Sequence, residues 1–181
     1  FNPTLFYMKY TNRQASRQVN CSAEGVQTCP FGFRIQVVNS GDVDLYGGEL
    51  EVQLALTDFL TLDASGSIID YDLKDPVANS GPNLYPDAPS PMFNVEATLV
   101  LPTPIGQTTF NLNYAHVGEQ ATHPTETGDS AYTLPAYGIL NGRIQIRPEN
   151  APLTISVFAN NILDKTYAVY GQRFGGGYWD A

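Results

Sequence analysis

Basic residues are scarce in this chain. Nine Lys and Arg stand against 18 Asp and Glu in 181 residues, a formal net charge of −9. So acidic a surface repels phosphate backbones, which argues against nucleic acid as a partner. It also offers no polybasic segment to anionic lipid heads. A run of about 18 apolar residues is lacking too, so no transmembrane helix is expected. The opening "FNPTLFYMKY" has no basic, apolar and cleavable regions in order, hence no signal peptide. Those residues already read as strand, and the chain is expected to begin partway through a longer protein. Cysteine is nearly absent as well: Cys21 and Cys29, in "CSAEGVQTC", are the pair. A metal site would need two further ligands, and both histidines lie far along the chain. A disulfide across a loop is the expectation, and it implies an oxidising compartment.

Tyrosine, phenylalanine, glycine and proline are plentiful, at 11, 9, 16 and 13, while helix-forming runs are few. This is the composition of a β protein. Period-two alternation confirms the type. In "MFNVEATLVL", Phe93, Val95, Ala97, Leu99 and Leu101 alternate with Asn94, Glu96 and Thr98. "QTTFNLNYAH" sets Phe110, Leu112 and Tyr114 against Asn111 and Asn113. "AYGILNGRIQIR" sets Leu140, Ile144 and Ile146 against Asn141, Arg143, Gln145 and Arg147. The segments "GGELEVQLAL", "LTLDASGSI" and "LTISVFAN" follow the same rule, and with "TLFYMKYTN" they give seven strands. Each reads as an antiparallel strand with one apolar and one polar face. Several exceed the about five or six residues usual in soluble proteins and suit a tilted bilayer crossing.

The connections alternate in length. Short links fall at 57–59, 102–106 and 148–152, and long ones at 13–33, 74–91 and 119–131, with the chain ending inside the next long one. Alternation by itself fits a soluble sandwich as well as a membrane barrel. Strand length, the loop rhythm and aromatics near strand ends (Tyr46, Phe59, Tyr71, Phe93, Tyr114, Tyr137, Tyr167) favour the barrel. Val95, Leu99, Leu112, Ile144 and Ile155 should then face lipid. Glu96, Asn111, Asn113, Arg143 and Gln145 should face the lumen.

The stretch "VFANNILDKTYAVYG" (157–171) resembles the penultimate-strand signature of the TonB-dependent outer-membrane receptors. Asn161, Ile162, Leu163, Asp164 and Tyr167 occupy its positions, with Ile162 in place of the usual leucine. "VVNSGDVDLYGGELEVQL" is similar to another strand of that family, through Asn39, Gly41, Tyr46, Gly47, Glu49 and Glu51. Gly48 stands where a larger residue is commoner. The approach "YTLPAYGILNGRI" is also family-like. The resemblance covers nearly the whole chain, residues 1–181, as the C-terminal part of an all-β, antiparallel transmembrane barrel. It implies a barrel of about 22 strands filled by an N-terminal plug. It further implies an outer-membrane importer, energised by TonB and its inner-membrane complex through the N-terminal part, for a siderophore-iron, cobalamin, another metal chelate or an oligosaccharide. Bacterial single-chain barrels have even strand numbers, so seven strands leave the closing strand, like the plug, outside this sequence. A passive porin or structural barrel is the alternative, and a soluble sandwich binding module a more distant one.

Other constellations carry less. His116, His123 and Asp129 flank or occupy an upper loop, where they could touch a ligand, but without a fixed ligand spacing. Asp70, Asp72 and Asp75 lack the glycine and glutamate of an EF-hand, and Asp70 and Asp72 are expected on the polar face of the strand top. "FGGGYW" lacks the lysine of a phosphate loop and reads as a mobile loop. No nucleophile elbow occurs, so neither an enzyme nor a cofactor is expected. Asn160, Asn161 and Asp164 are read as bonding the backbone rather than a substrate.

Overall fold

The computed structural model describes residues 1–20, 33–39, 41–74, 88–121, 133–174 and 177–180. Its strands are β1 (Asn2–Tyr10), β2 (Gln14–Asn20), β3 (Phe33–Asn39), β4 (Asp42–Ala55), β5 (Leu60–Lys74), β6 (Met92–Thr103) and β7 (Gly106–Val117). They continue with β8 (Gln120–Ala121), β9 (Thr133–Leu134), β10 (Tyr137–Arg147), β11 (Ile155–Ala159), β12 (Gly171–Phe174) and β13 (Gly177–Asp180). Seven of them form one antiparallel sheet in the order β1-β4-β5-β6-β7-β10-β11. These are the seven expected from alternation. Strands in a sequential antiparallel sheet put successive connections at opposite ends. Hence the links after β1, β5 and β7 share one end, called the upper end below, and the short links after β4, β6 and β10 share the other.

The short links are closed locally. Thr57 Oγ1 accepts hydrogen bonds from the N–H groups of Phe59 (3.2 Å) and Leu60 (3.0 Å), while Leu56 N–H bonds Leu60 C=O at 2.9 Å. Gly106 turns the β6–β7 hairpin at φ 120°, against the backbone of Arg147 and Pro148, where no side chain fits.

The long links depart from expectation in not being strand-free. β2 pairs with β3 as an arm, β8 with β9 as a short ladder, and β12 with β13 across the stretch expected to be a mobile glycine loop. Hairpin pairing satisfies backbone groups that an irregular loop would leave to water. Cys21, Cys29, Asp75, His123 and Asp129 lie outside the described residues. So do Gly175 and Gly176.

Cross-strand partners share a face, so the register sorts side chains. One row runs Leu60, Leu99, Phe110, Ile144 and Val157, and a row three positions along, on the other face, runs Gln53, Asp63, Glu96, Asn113 and Asn141. Val95, Leu99, Leu112, Ile144 and Ile155 therefore share the apolar face, and Glu96, Asn111, Asn113, Arg143 and Gln145 the polar one. Few apolar side chains are buried: Val43, Leu45, Ala121 and Leu134 among those described. Leu112 is 50% exposed and Val157 68%. A sandwich would bury that face under a second sheet, and none covers it among the described residues. The sheet is open at β1 and β11, so the barrel it matches is not closed within this chain.

Candidate functional site

The polar face is a wall of short side chains bonded largely to one another. Gln53 Nε2 donates to Asp63 Oδ1 at 2.7 Å, and Asn2 Nδ2 to Glu51 Oε2 at 3.2 Å. Asn111 Nδ2 donates to Thr98 Oγ1 at 2.8 Å and reaches Glu96 Oε1 at 3.4 Å, while Asn113 Nδ2 donates to Asn94 Oδ1 at 2.8 Å. Arg143 Nη2 donates to Gln145 Oε1 at 2.8 Å and Ser156 Oγ at 3.0 Å. These pairs follow from registry, since alternate residues on neighbouring strands stand side by side. Around Arg143 the wall has a hollow of about 630 Å³, reached by Glu96, Asn113, Asn141, Phe158 and Asn160. A surface of this kind holds water and hydrogen-bonding guests. It presents no nucleophile paired with a base.

The Asn-Asn segment is a staple just past the last strand of the sheet. The β10–β11 ladder ends at Gly142 opposite Ala159. The chain then turns through Asn161 and Asp164, both at φ 50°, a left-handed conformation that asparagine and aspartate tolerate better than other residues with side chains. Asn161 Oδ1 accepts from Lys165 N–H at 2.9 Å, and Asn161 Nδ2 donates to Lys165 C=O at 3.1 Å. One amide thus serves both backbone groups of a residue, as a paired strand would. Asn141 Oδ1 accepts from Asn161 N–H at 3.0 Å, and Ile162 N–H bonds Leu140 C=O at 2.8 Å, which holds the turn against β10. Above it, Tyr167 stacks on Tyr137 at 4.3 Å. Leu163 is exposed.

At the upper end the two faces exchange character. β4 and β5 outrun β6 there, and their even-numbered residues, apolar at Leu50, Val52 and Ile68, become Tyr46, Asp44, Asp42, Asp70, Asp72 and Lys74. The odd-numbered side becomes apolar: Val43 is fully buried, Leu45 3% exposed, and Tyr71 and Leu73 are partly covered. Asp70 and Asp72 share the polar face of the strand top, as expected, and that face is the continuation of the one that is apolar lower down. Lys74 Nζ meets Asp44 Oδ2 at 2.7 Å and Asp72 Oδ2 at 3.8 Å. These groups stand beyond the apolar band. There the hydrogen bond from Lys74, with a second from Tyr7, holds the Asp44 carboxyl below its ordinary value, and Lys74 is raised in turn. Sequence reading followed one parity along each strand and missed this inversion; the run "DVDLY" held the signal.

His116 sits on β7 on the apolar face, opposite Phe93 and stacked on it at 4.8 Å, rather than within a ligand loop. Phe93 also touches Tyr114 at 6.0 Å. Tyr46 donates to Asp70 Oδ2 at 3.4 Å. Gly47 lies where a Cβ would strike the ring of Phe6, at 2.6 Å from its tip, and Glu49 belongs to the polar wall. Among the described residues, no group of three or more His, Cys, Asp and Glu is placed to hold a metal ion.

A family model described as "TonB dependent receptor-like, beta-barrel" matches residues 1–162. Among solved structures, the ferric yersiniabactin uptake receptor FyuA from Yersinia pestis is similar, with a TM-score of 0.74 and 20% identity. The likeness covers 98% of this chain and 24% of that one. At that identity it shows a shared fold, and this chain spans about a quarter of that receptor's length. No curated protein matches.

Proposed function

The chain belongs to the TonB-dependent receptor β-barrel family, and from that premise we propose that it forms the C-terminal wall of an outer-membrane receptor that imports a scarce ligand with energy from TonB. The role is binding and transport, not catalysis. The observation that carries this reading is the two-sided sheet. One face is apolar and uncovered, as a lipid-facing wall requires, and the other is a hydrogen-bonded polar lining. All three long links rise at the end where such barrels carry extracellular loops.

In this reading the whole of residues 1–181 belongs to the barrel, and a plug N-terminal to it fills the lumen and carries the contact with TonB. The ligand is met by the upper loops and plug. Siderophore-iron is the first class to try, because the similar FyuA structure is named as a ferric yersiniabactin uptake receptor. Cobalamin, other metal chelates and oligosaccharides follow. The test is uptake by cells making the full-length protein, with radiolabelled ferric chelates as probes, in strains with and without TonB. Accumulation that requires TonB supports the receptor. Uptake that is equal in both strains points to a passive porin, and a protein that stays folded and soluble without detergent rejects the membrane barrel.

A further inference from the structure

The polar wall is divided by charge. Its carboxylates, Glu49, Glu51, Asp63 and Glu96, stand on β4, β5 and β6, and its guanidinium groups, Arg143 and Arg147, on β10. Arg143 lies in the hollow of about 630 Å³ and bonds two neutral oxygens, on Gln145 and Ser156, through Nη2. Its Nη1 and Nε hydrogens remain for another acceptor, since no carboxylate of the described residues reaches them. Glu96 borders the same hollow but meets Asn111 Nδ2 instead, at 3.4 Å. Asn141 commits Oδ1 to Asn161 N–H and keeps its amide hydrogens for the hollow it lines.

Beside that guanidinium stands a residue out of pattern. Phe158 is the cross-strand partner of Arg143 and so shares the wet face, between Ser156 and Asn160, yet it is 69% exposed. A further strand beside β11 would flank the ring about 4.8 Å away without covering it, because a sheet face is covered only from above. Anything that fills the lumen takes both groups out of water together. Covering the phenyl ring is favourable, while covering the guanidinium is costly unless an anion pairs with it. A neutral cover would satisfy the ring and strand the charge; a carboxylate with an apolar neighbour satisfies both. Resting on the plug of the proposed function, we propose that β10 and β11 form a docking site for that N-terminal segment, which seats an Asp or Glu carboxylate on Arg143 and an apolar side chain on Phe158.

The test replaces Phe158 with the photocrosslinker p-benzoylphenylalanine in the full-length protein in outer membranes, and maps the adduct by mass spectrometry. The adduct is expected on a peptide of the N-terminal segment, beside an Asp or Glu. Arg143→Glu should then speed hydrogen exchange in that peptide by roughly tenfold or more, and Arg143→Lys much less. Changing the mapped acid to Arg should restore its protection in the Arg143→Glu protein. A heat-shift gel confirms that each variant is folded, and the adduct alone decides the matter if Arg143→Glu is not. An adduct confined to the barrel, a mapped peptide without an acid, or exchange untouched by Arg143→Glu would overturn the proposal. An adduct that added ferric citrate suppresses would make an imported carboxylate the occupant, and overturn it as well. TonB-dependent uptake alongside any of these leaves the receptor reading standing. An adduct to lipid would turn the wall outward and refute both.

Discussion

Asn161 supplies with one side chain the pairing that the last strand loses when its ladder stops. Replacing it with alanine removes both bonds to Lys165 and leaves a Cβ residue at φ 50°. The expected loss is about 1–3 kcal/mol, read from urea unfolding of the full-length barrel in detergent. Asn161→Gly relaxes the dihedral but still loses the amide, and should fall between alanine and wild type. Asn161→Asp keeps the acceptor for Lys165 N–H and loses only the donor. If all three unfold like wild type, the staple has no energetic role. The sequence displayed this motif plainly, and the preference of asparagine for backbone bonding was readable from its chemistry. Its partner was not, because Lys165 is reached only through two left-handed residues whose angles depend on the fold around them.

At the scale of the strand, adjacent residues meet different solvents. Ile144 and Arg143 are neighbours in β10, yet Ile144 lies in the apolar row with Phe110 and Leu99 while Arg143 donates to Gln145 and Ser156 on the wall. Ile144→Arg should therefore destabilise the barrel by about 2–4 kcal/mol if this position lies at the bilayer centre. Arg143→Gln, which keeps a hydrogen-bonding group on the wet side, should cost much less. Matched folding titrations into lipid vesicles would compare the two, and equal costs would mean the faces are misassigned. The β2–β3 arm gives a second expectation. Its register closes Asn20 on Phe33, the stem from which Cys21 and Cys29 continue, and a disulfide between them should stabilise by roughly 2–3 kcal/mol at most. Reduction should then leave the barrel's thermal transition nearly unchanged while proteolysis within 13–33 speeds up. Two titratable thiols in oxidised, natively purified protein would dispose of the bond. Strand existence was legible here because alternation is local. The arm's strands escaped notice because their residues alternate weakly and pair only with each other.

For the whole molecule, the outer edges of β1 and β11, unpaired among the described residues, matter most. Open edges in hydrocarbon leave backbone groups unsatisfied at several kcal/mol each, so residues 1–181 expressed alone should not form the heat-modifiable barrel that the full-length protein forms. A compact, heat-modifiable band from the isolated chain would contradict that. The sequence by itself determined the antiparallel all-β class, the seven wall strands, which end carries the long links, and the partition of residues at mid-strand. All of these rest on period-two patterning and on turn positions, which neighbours in sequence encode. Only the tertiary structure decided the exchange of faces at the upper ends of β4 and β5, the stacking of His116 on Phe93, and the meeting of Phe158 with Arg143 on the wall. Those depend on where neighbouring strands stop and on which residues meet across them, and both are set by register between segments distant in sequence.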